Sequence, residues 1–352
     1  MKNTVKNQVK SMPDTPIDYT TLYAKLDSYV YMHTHFRHAL ARIDALIARA
    51  KRYADPEIAI LLGESRCGKS RLLDIVEQKW PPHRTAEKTH VPVLSIRITS
   101  KPTVKGLLTQ LIAKLGAPSA IRYKTEQQQM QALINLLKRC EVRALMLDEF
   151  QHFLSDRGQV NYSVADLFKY LSDEAQISII FAGLPEAKGV IDANEQLAGR
   201  ASAALRLRRF NWGTASGRDE FKQMLVGCAR AFEPIALPDL SSDELAFRWY
   251  CASGGVIGLV LKIFRECLNT AAQKNYGALT LEDFDEAHRN AHYEQAENGF
   301  RPFSKDFNPT PSRDSMSRAK NVGKPIEPVK QKRNRASSKP KESSPFTQGS
   351  VI

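Results

Sequence analysis

Two rhythms of apolar residues divide the chain. Short apolar runs occupy Ile58 to Leu62, Ala144 to Leu147 and, with one serine, Ile177 to Phe181, and Leu205 to Phe210 reads as a short fifth strand. Apolar runs of that length are what strands buried on both faces look like. Between them the apolar positions recur at three- and four-residue spacing. Leu40, Ile43, Leu46 and Ile47 mark a helix within His35 to Tyr53, and Met130, Leu133, Ile134 and Leu137 mark another that reaches Cys140. Helices are also expected after Gly68, over Val104 to Leu115 and over Ser163 to Ala175. Val91 to Ile98 is a further strand, and its alternation toward the end places it near a sheet edge. Strands that alternate with helices predict an α/β fold with a mostly parallel sheet covered on both faces. Tyr23 to Tyr31 shows no clear period, and residues 1–20 are polar and read as loose. From Trp212 onward only helical periodicity remains, over roughly Gly217 to Phe232, Ser242 to Ser253, Val256 to Lys274 and Leu281 to Arg289.

The boundary between the first strand and its helix carries the strongest chemical signal. The run ends at Gly63, and Gly63, Glu64, Ser65, Arg66, Cys67, Gly68, Lys69, Ser70 and Arg71 follow in order. This is the spacing of a phosphate-binding loop. Gly63 and Gly68 permit backbone angles that turn successive N–H groups into one concavity. The helix start adds its positive dipole end, Lys69 can reach the β- and γ-phosphates, and the Ser70 hydroxyl can ligate Mg²⁺. A partner strand, Ala144 to Leu147, ends in Asp148 and Glu149. Asp148 is expected in the Mg²⁺ shell and Glu149 as the base that polarises an attacking water. ATP with Mg²⁺ is therefore the expected ligand pair and ATP hydrolysis the expected activity.

Composition narrows the class. The chain has 352 residues, enough for one large or two modest domains. No apolar run approaches the roughly 20 residues that span a bilayer, and the first residues carry no signal-peptide block. Five scattered cysteines, without metal-type pairing, read as reduced thiols in a cytoplasmic protein. Residues 301–352 hold twelve Lys/Arg against four Asp/Glu, so they supply eight of the net +13. Rich in Ser, Pro and Lys, this stretch is expected to be a disordered basic tail, and Lys330 to Lys341 suits an acidic partner or a nucleic-acid backbone.

A wider set of motifs occurs in order: GESRCGKS (Gly63 to Ser70), LMLDEFQHF (Leu145 to Phe153), IIFAGLPEA (Ile179 to Ala187), NEQLAGRASAALRLRRF (Asn194 to Phe210) and SGGVIGLVLKIF (Ser253 to Phe264). Together they resemble the TniB/TnsC ATPases, AAA+ regulators of transposition that include those of CRISPR-associated transposons. The resemblance covers about residues 30–290. It implies an AAA+ P-loop fold with a nucleotide-binding α/β domain (31–211) and a helical lid (212–300), between the flexible N-terminal segment (1–30) and the basic tail (301–352) that composition indicates. It also implies a homo-oligomer, ring or filament, that assembles with ATP on double-stranded DNA. Such an assembly joins a TniQ-type target-selection protein to a DDE transposase, and slow hydrolysis takes it apart. It would work in the bacterial cytoplasm, associated with the nucleoid, with no membrane partner.

By the same resemblance Arg200 lies where the arginine finger is found. A guanidinium supplied by a neighbouring subunit is worth roughly 10³-fold or more in rate. Sequence-independent DNA contacts are implied at Lys101, Lys105, Arg122, Lys124 and Thr125, with a salt slope of about −0.9 per phosphate neutralised. The segment before the first strand is expected to wall the base pocket. Two positions depart from the family pattern. The fourth strand ends Ala182-Gly183-Leu184 where a polar sensor residue is expected, and Leu259 stands where many relatives place an arginine. Gln151, His152 or Lys262 are the neighbours that could take over sensing. Two other readings remain open at this point: a helicase-loader ATPase of the IstB/DnaC kind, and a signalling or defence NTPase that binds no DNA.

Overall fold

The computed structural model describes residues 16–50, 56–100, 102–117, 125–153, 162–192, 195–291 and 299–324. Its α/β part begins with α1 (Tyr19–Ser28), α2 (Thr34–Arg49), β1 (Ile58–Gly63) and α3 (Lys69–Lys79). A small hairpin, β2 (His83–Arg84) and β3 (Thr89–His90), precedes β4 (Val93–Arg97), α4 (Val104–Lys114), α5 (Glu126–Arg139) and β5 (Ala144–Asp148). Then come α6 (Tyr162–Ala175), β6 (Ser178–Gly183), the short α7 (Lys188–Asp192) and α8 (Glu195–Arg200), and β7 (Leu205–Leu207). The helical part consists of α9 (Ala215–Ala229), α10 (Asp243–Ser253), α11 (Ile257–Lys274), α12 (Leu281–Ala291) and α13 (Arg313–Asn321).

Five strands form one parallel sheet in the order β4-β5-β6-β1-β7. β4 is an edge strand, as its alternation predicts. The inner strands β5, β6 and β1 are buried along their whole length because both faces are covered, while β7, the other edge, exposes Arg206. Ile58, Ile60 and Leu62 face one core with Leu107, Leu133 and Phe168, which lie on α4, α5 and α6. Ala59 and Leu61 face the other with Ile43, Leu72 and Val76 on α2 and α3. That second core runs on without a break into the helical part through Phe210, Trp212 and Phe221.

The domain limits expected from composition shift at both ends. Residues 19–28 are helical, with Leu22 and Leu26 buried and the Tyr19 hydroxyl donating to the Ala271 carbonyl at 3.0 Å. The aromatic and polar residues between those two leucines hide the period, since Tyr19 and Tyr23 pack against the core while their hydroxyls reach carbonyl or amide oxygens on α11. The expected disordered tail from Arg301 is corrected over residues 301–324, which fold against the lid. Phe300, Phe303, Ala319 and Val322 are buried there. The guanidinium of Arg248, itself buried, donates to the carbonyls of Pro302 and Ser304 at 2.8 Å and of Phe307 at 3.2 Å. Four aromatic or apolar anchors and one buried cation offset the ordering entropy that composition alone counts against this stretch. Residues 325–352 lie outside the described residues. No described helix is long and apolar enough to cross a membrane.

Candidate functional site

The site grows from the carboxyl ends of β1, β5 and β6. Gly63 closes β1 where a Cβ would lie 2.8 Å from the Leu207 carbonyl oxygen, so the strand can approach β7 only with glycine there. Beyond it Arg66 and Gly68 have φ of +64° and +94°. These left-handed steps curl the backbone into a cradle ahead of α3. Cys67 anchors the cradle from below, and burial pushes its thiol up to about 11, so it remains an uncharged core group. The Lys69 side chain is buried, and its Nζ donates to the carbonyls of Gly63 at 2.7 Å and Glu64 at 2.9 Å. Burial pulls that ammonium below its ordinary pKa. A cation held this way, inside the loop and bonded only to carbonyls, is poised to trade those bonds for phosphate oxygens.

Ser70 and Asp148 meet across the end of β6. The Ser70 hydroxyl donates to Asp148 Oδ2 at 2.6 Å, while Asp148 Oδ1 accepts the Glu149 N–H at 2.9 Å. One hydroxyl and one carboxylate, both hard oxygen donors, match a Mg²⁺ ion that takes its remaining ligands from phosphates and water. No cluster of three or more His, Cys, Asp or Glu suited to a metal exists among the described residues.

Glu149 has a φ of +61°, unusual for a side chain other than glycine. Phe150 and Phe153 follow it, buried in a 3₁₀ turn, and Phe150 stacks on Phe181 at 4.1 Å. The left-handed step that leads into this turn costs roughly 1–2 kcal/mol. Both carboxylate oxygens of Glu149 are engaged. Arg97, at the end of β4, donates to Oε1 at 2.9 Å, and the Gln151 amide nitrogen donates to Oε2. Burial raises the Glu149 pKa, but these two hydrogen bonds and the charge of Arg97 outweigh it and hold the carboxyl below its ordinary value.

The lid presses on the phosphate loop. The N–H of Gly258, in the first turn of α11, donates to the Arg66 carbonyl at 3.0 Å. A Cβ on Gly258 would lie 2.7 Å from Arg66 Cβ. Arg209 adds a second tie. Its Nε donates to Glu64 at 2.7 Å and its Nη1 to the Val322 carbonyl at 2.8 Å, just past α13. The loop, the lid and the carboxyl-terminal segment therefore share one network. Leu259 is a core residue here, with Gly323 so close that a Cβ there would lie 2.8 Å from Leu259 Cδ1. Beside Arg209 a cavity of about 520 Å³ opens between the starts of α2 and α9, walled by Tyr31, His33 and Phe210.

The other residues singled out by sequence fall as follows. Ser65 is exposed at the loop tip, and Arg71 turns away from the cradle to donate to the Ser28 carbonyl at 3.0 Å. Arg200, the last residue of α8, is bonded to no residue of its own phosphate loop; it is ion-paired with Asp173 on α6, both about one-third exposed. Lys105 is exposed in the first turn of α4. Thr125 caps α5, its Oγ1 accepting the Gln128 N–H at 3.2 Å. Lys101, Arg122 and Lys124 lie outside the described residues. Sequence reasoning missed Arg97, Gly258 and Asp173. For Arg97 a signal existed, since it is the one cation ending an otherwise apolar strand; for Asp173 none did.

Comparison with known proteins identifies the family and the fold. The family model "Bacterial TniB protein" matches residues 22–211, more than half of the chain. No curated protein matches it. Among solved structures, Cdc6p from Pyrobaculum aerophilum superposes with a TM-score of 0.60 at 16% identity, covering 79% of this chain and 74% of that one. The Aeropyrum pernix ORC2 protein in its ADPNP–ADP complexes gives 0.55 at 14% identity, covering 78% and 74%. The Aeropyrum pernix ORC1 protein in complex with DNA gives 0.54 at 15% identity, covering 79% and 71%. At these identities the likeness concerns the fold, which is that of the AAA+ P-loop ATPases.

Proposed function

The chain belongs to the TniB family, and from that premise we propose that it is an ATP-dependent regulator of transposition. It binds ATP with Mg²⁺, oligomerises on double-stranded DNA without reading sequence, and connects a TniQ-type target selector to a DDE transposase. The observation that carries the nucleotide part is the Ser70–Asp148 contact, which joins the phosphate loop to the carboxylate strand across the end of β6.

In this reading the N–H groups of residues 64–70 cradle the phosphates, and Lys69 leaves its carbonyl partners for the β- and γ-phosphate oxygens. Ser70 and Asp148 hold Mg²⁺, which neutralises phosphate charge when bound. Tyr31, His33 and Phe210 offer the base a wall. Glu149 accepts a proton from the attacking water, and Arg200 of the neighbouring copy stabilises the charge that builds on the γ-phosphate. Because the pocket is completed only at an interface, ATP also acts as an assembly signal. Lys105 and Thr125, with Lys101, Arg122 and Lys124, would contact DNA phosphates; weak contacts per subunit add up along an oligomer.

Electron microscopy of the full chain with duplex DNA and a non-hydrolysable ATP analogue tests the reading. Rings or filaments are expected with the wild type and none with Lys69→Ala. Single particles under all conditions would refute assembly as the function.

A further inference from the structure

We propose that Gln151 is a positioning residue for hydrolysis: its side-chain amide ties the Glu149 carboxylate to the end of β6 and supplies the polar contact that β6 itself lacks. The inference rests on the ATPase reading above and gives Gln151, one of three neighbours that could take over sensing, a specific role.

Three observations carry it. First, β6 ends in Ala182 and Gly183 and continues into Leu184, so the strand lying between β1 and β5 brings no polar side chain to the site. Second, the Gln151 amide fills that position. Its Oε1 accepts the Leu184 N–H at 3.1 Å and its Nε2 donates to Glu149 Oε2. A backbone N–H can only donate, so the oxygen must face Leu184, and the amide orientation follows from the network. Third, the two arrangements exclude each other. A Cβ on Gly183 would lie 2.8 Å from Gln151 Oε1 and 2.9 Å from Ala187 Cβ. A side chain at the end of β6 and a glutamine reaching across it cannot both be present. The absence of a polar residue at Gly183 is thus the counterpart of Gln151, and both belong to one device.

The device has a mechanical meaning. Glu149 sits on a left-handed backbone step, so its own conformation does not fix where its carboxylate points. Arg97 approaches from the β4 side with a largely exposed side chain, while Gln151 approaches from the β6 side. Of the two, Gln151 is the one tied to the backbone of the strand nearest the phosphate loop. It keeps the carboxylate beside the γ-phosphate position when Arg97 moves.

Two variants separate the two bonds. Gln151→Glu keeps an acceptor for Leu184 but loses the donor to Glu149; Gln151→Met loses both. Single-turnover ATP hydrolysis, the Kd of a non-hydrolysable analogue and Tm are measured on the full chain with duplex DNA. The expected result for Gln151→Glu is a fall of about ten-fold or more in rate, the scale of a hydrogen bond to a charged group. Its Kd stays within about two-fold and its Tm near wild type. Rates within about two-fold of wild type in both variants would overturn the proposal. So would a rate loss that only accompanies lost nucleotide binding or lost Tm, because the bridge would then be structural. Failure of the underlying ATPase reading looks different: Lys69→Ala would hydrolyse ATP as fast as wild type.

Discussion

His33 shows how far one side chain can be committed before any ligand arrives. It is 4 % exposed, its Nδ1 accepts the Phe36 N–H at 3.3 Å as the cap of α2, and its ring lies edge-on to Phe36 and Phe210. Burial is the main reason that its pKa falls to about 4; Glu220 opposes the fall, while His35 and Arg37 add to it. In the unfolded chain a histidine titrates near 6.5. The fold therefore keeps His33 neutral, and its stabilising share is whole above about pH 6.5 and lost as pH falls toward 4. Urea unfolding at pH 7 and pH 5 should show about 2 kcal/mol less stability at the lower pH from this group. His33→Asn, which keeps a cap acceptor but has nothing to titrate, should remove that part of the difference. An unchanged pH dependence in the variant would contradict the assignment. At this scale the sequence was legible wherever a residue's role depends on its chain neighbours. Gly63, Gly68, Lys69, Ser70, Asp148 and Glu149 all stand at or beside strand and helix ends that hydrophobic pattern locates. Arg97 was missed and Gln151 was only one of three sensing candidates, because their partners depend on which strands lie side by side, and order within the sheet is not written in spacing.

Among the elements, α11 has the most direct hold on the site. Its first turn lies against the phosphate loop with nothing but hydrogen on Gly258 between them, and that glycine's N–H takes up the carbonyl of the strained Arg66. Gly258→Ala would drive a methyl group into Arg66 and separate lid from loop, a misfit of about 1–3 kcal/mol. About ten-fold weaker binding of an ATP analogue is expected, with helix content unchanged by circular dichroism. Unaltered affinity would show that the lid does not shape the loop. Helices and strands were readable to within a few residues wherever an apolar face repeats, as in α2, α5 and α11. The elements that escaped are those stabilised by distant partners. α1 is held by tyrosine hydroxyls reaching α11, and residues 299–324 are held by a guanidinium from α10 that supplies what their own composition lacks. The same segment covers Leu259, which explains why no charged group occupies that place in the lid.

At the scale of the whole molecule, the proposed function makes the site of one chain incomplete. It has a cradle, a cation, a metal-binding pair and a base, yet Arg200 is engaged with Asp173 away from all of them. An ion pair this exposed is worth about 0–1 kcal/mol, so a neighbour's triphosphate, with more charge and more acceptor oxygens, can displace Asp173 readily. The guanidinium is weakly parked on the surface rather than built into the fold. The proposed role in a neighbouring subunit's site requires such a releasable group. The most direct test of this shared site mixes two inactive variants on duplex DNA. Lys69→Ala lacks the nucleotide cradle's cation but keeps Arg200; Arg200→Ala keeps the cradle but lacks the finger. ATP hydrolysis by the mixture should exceed the sum of the two alone by about ten-fold or more, because each interface pairing an intact cradle with an intact Arg200 regains the arginine's contribution. A mixture that merely adds the two residual rates would contradict the account.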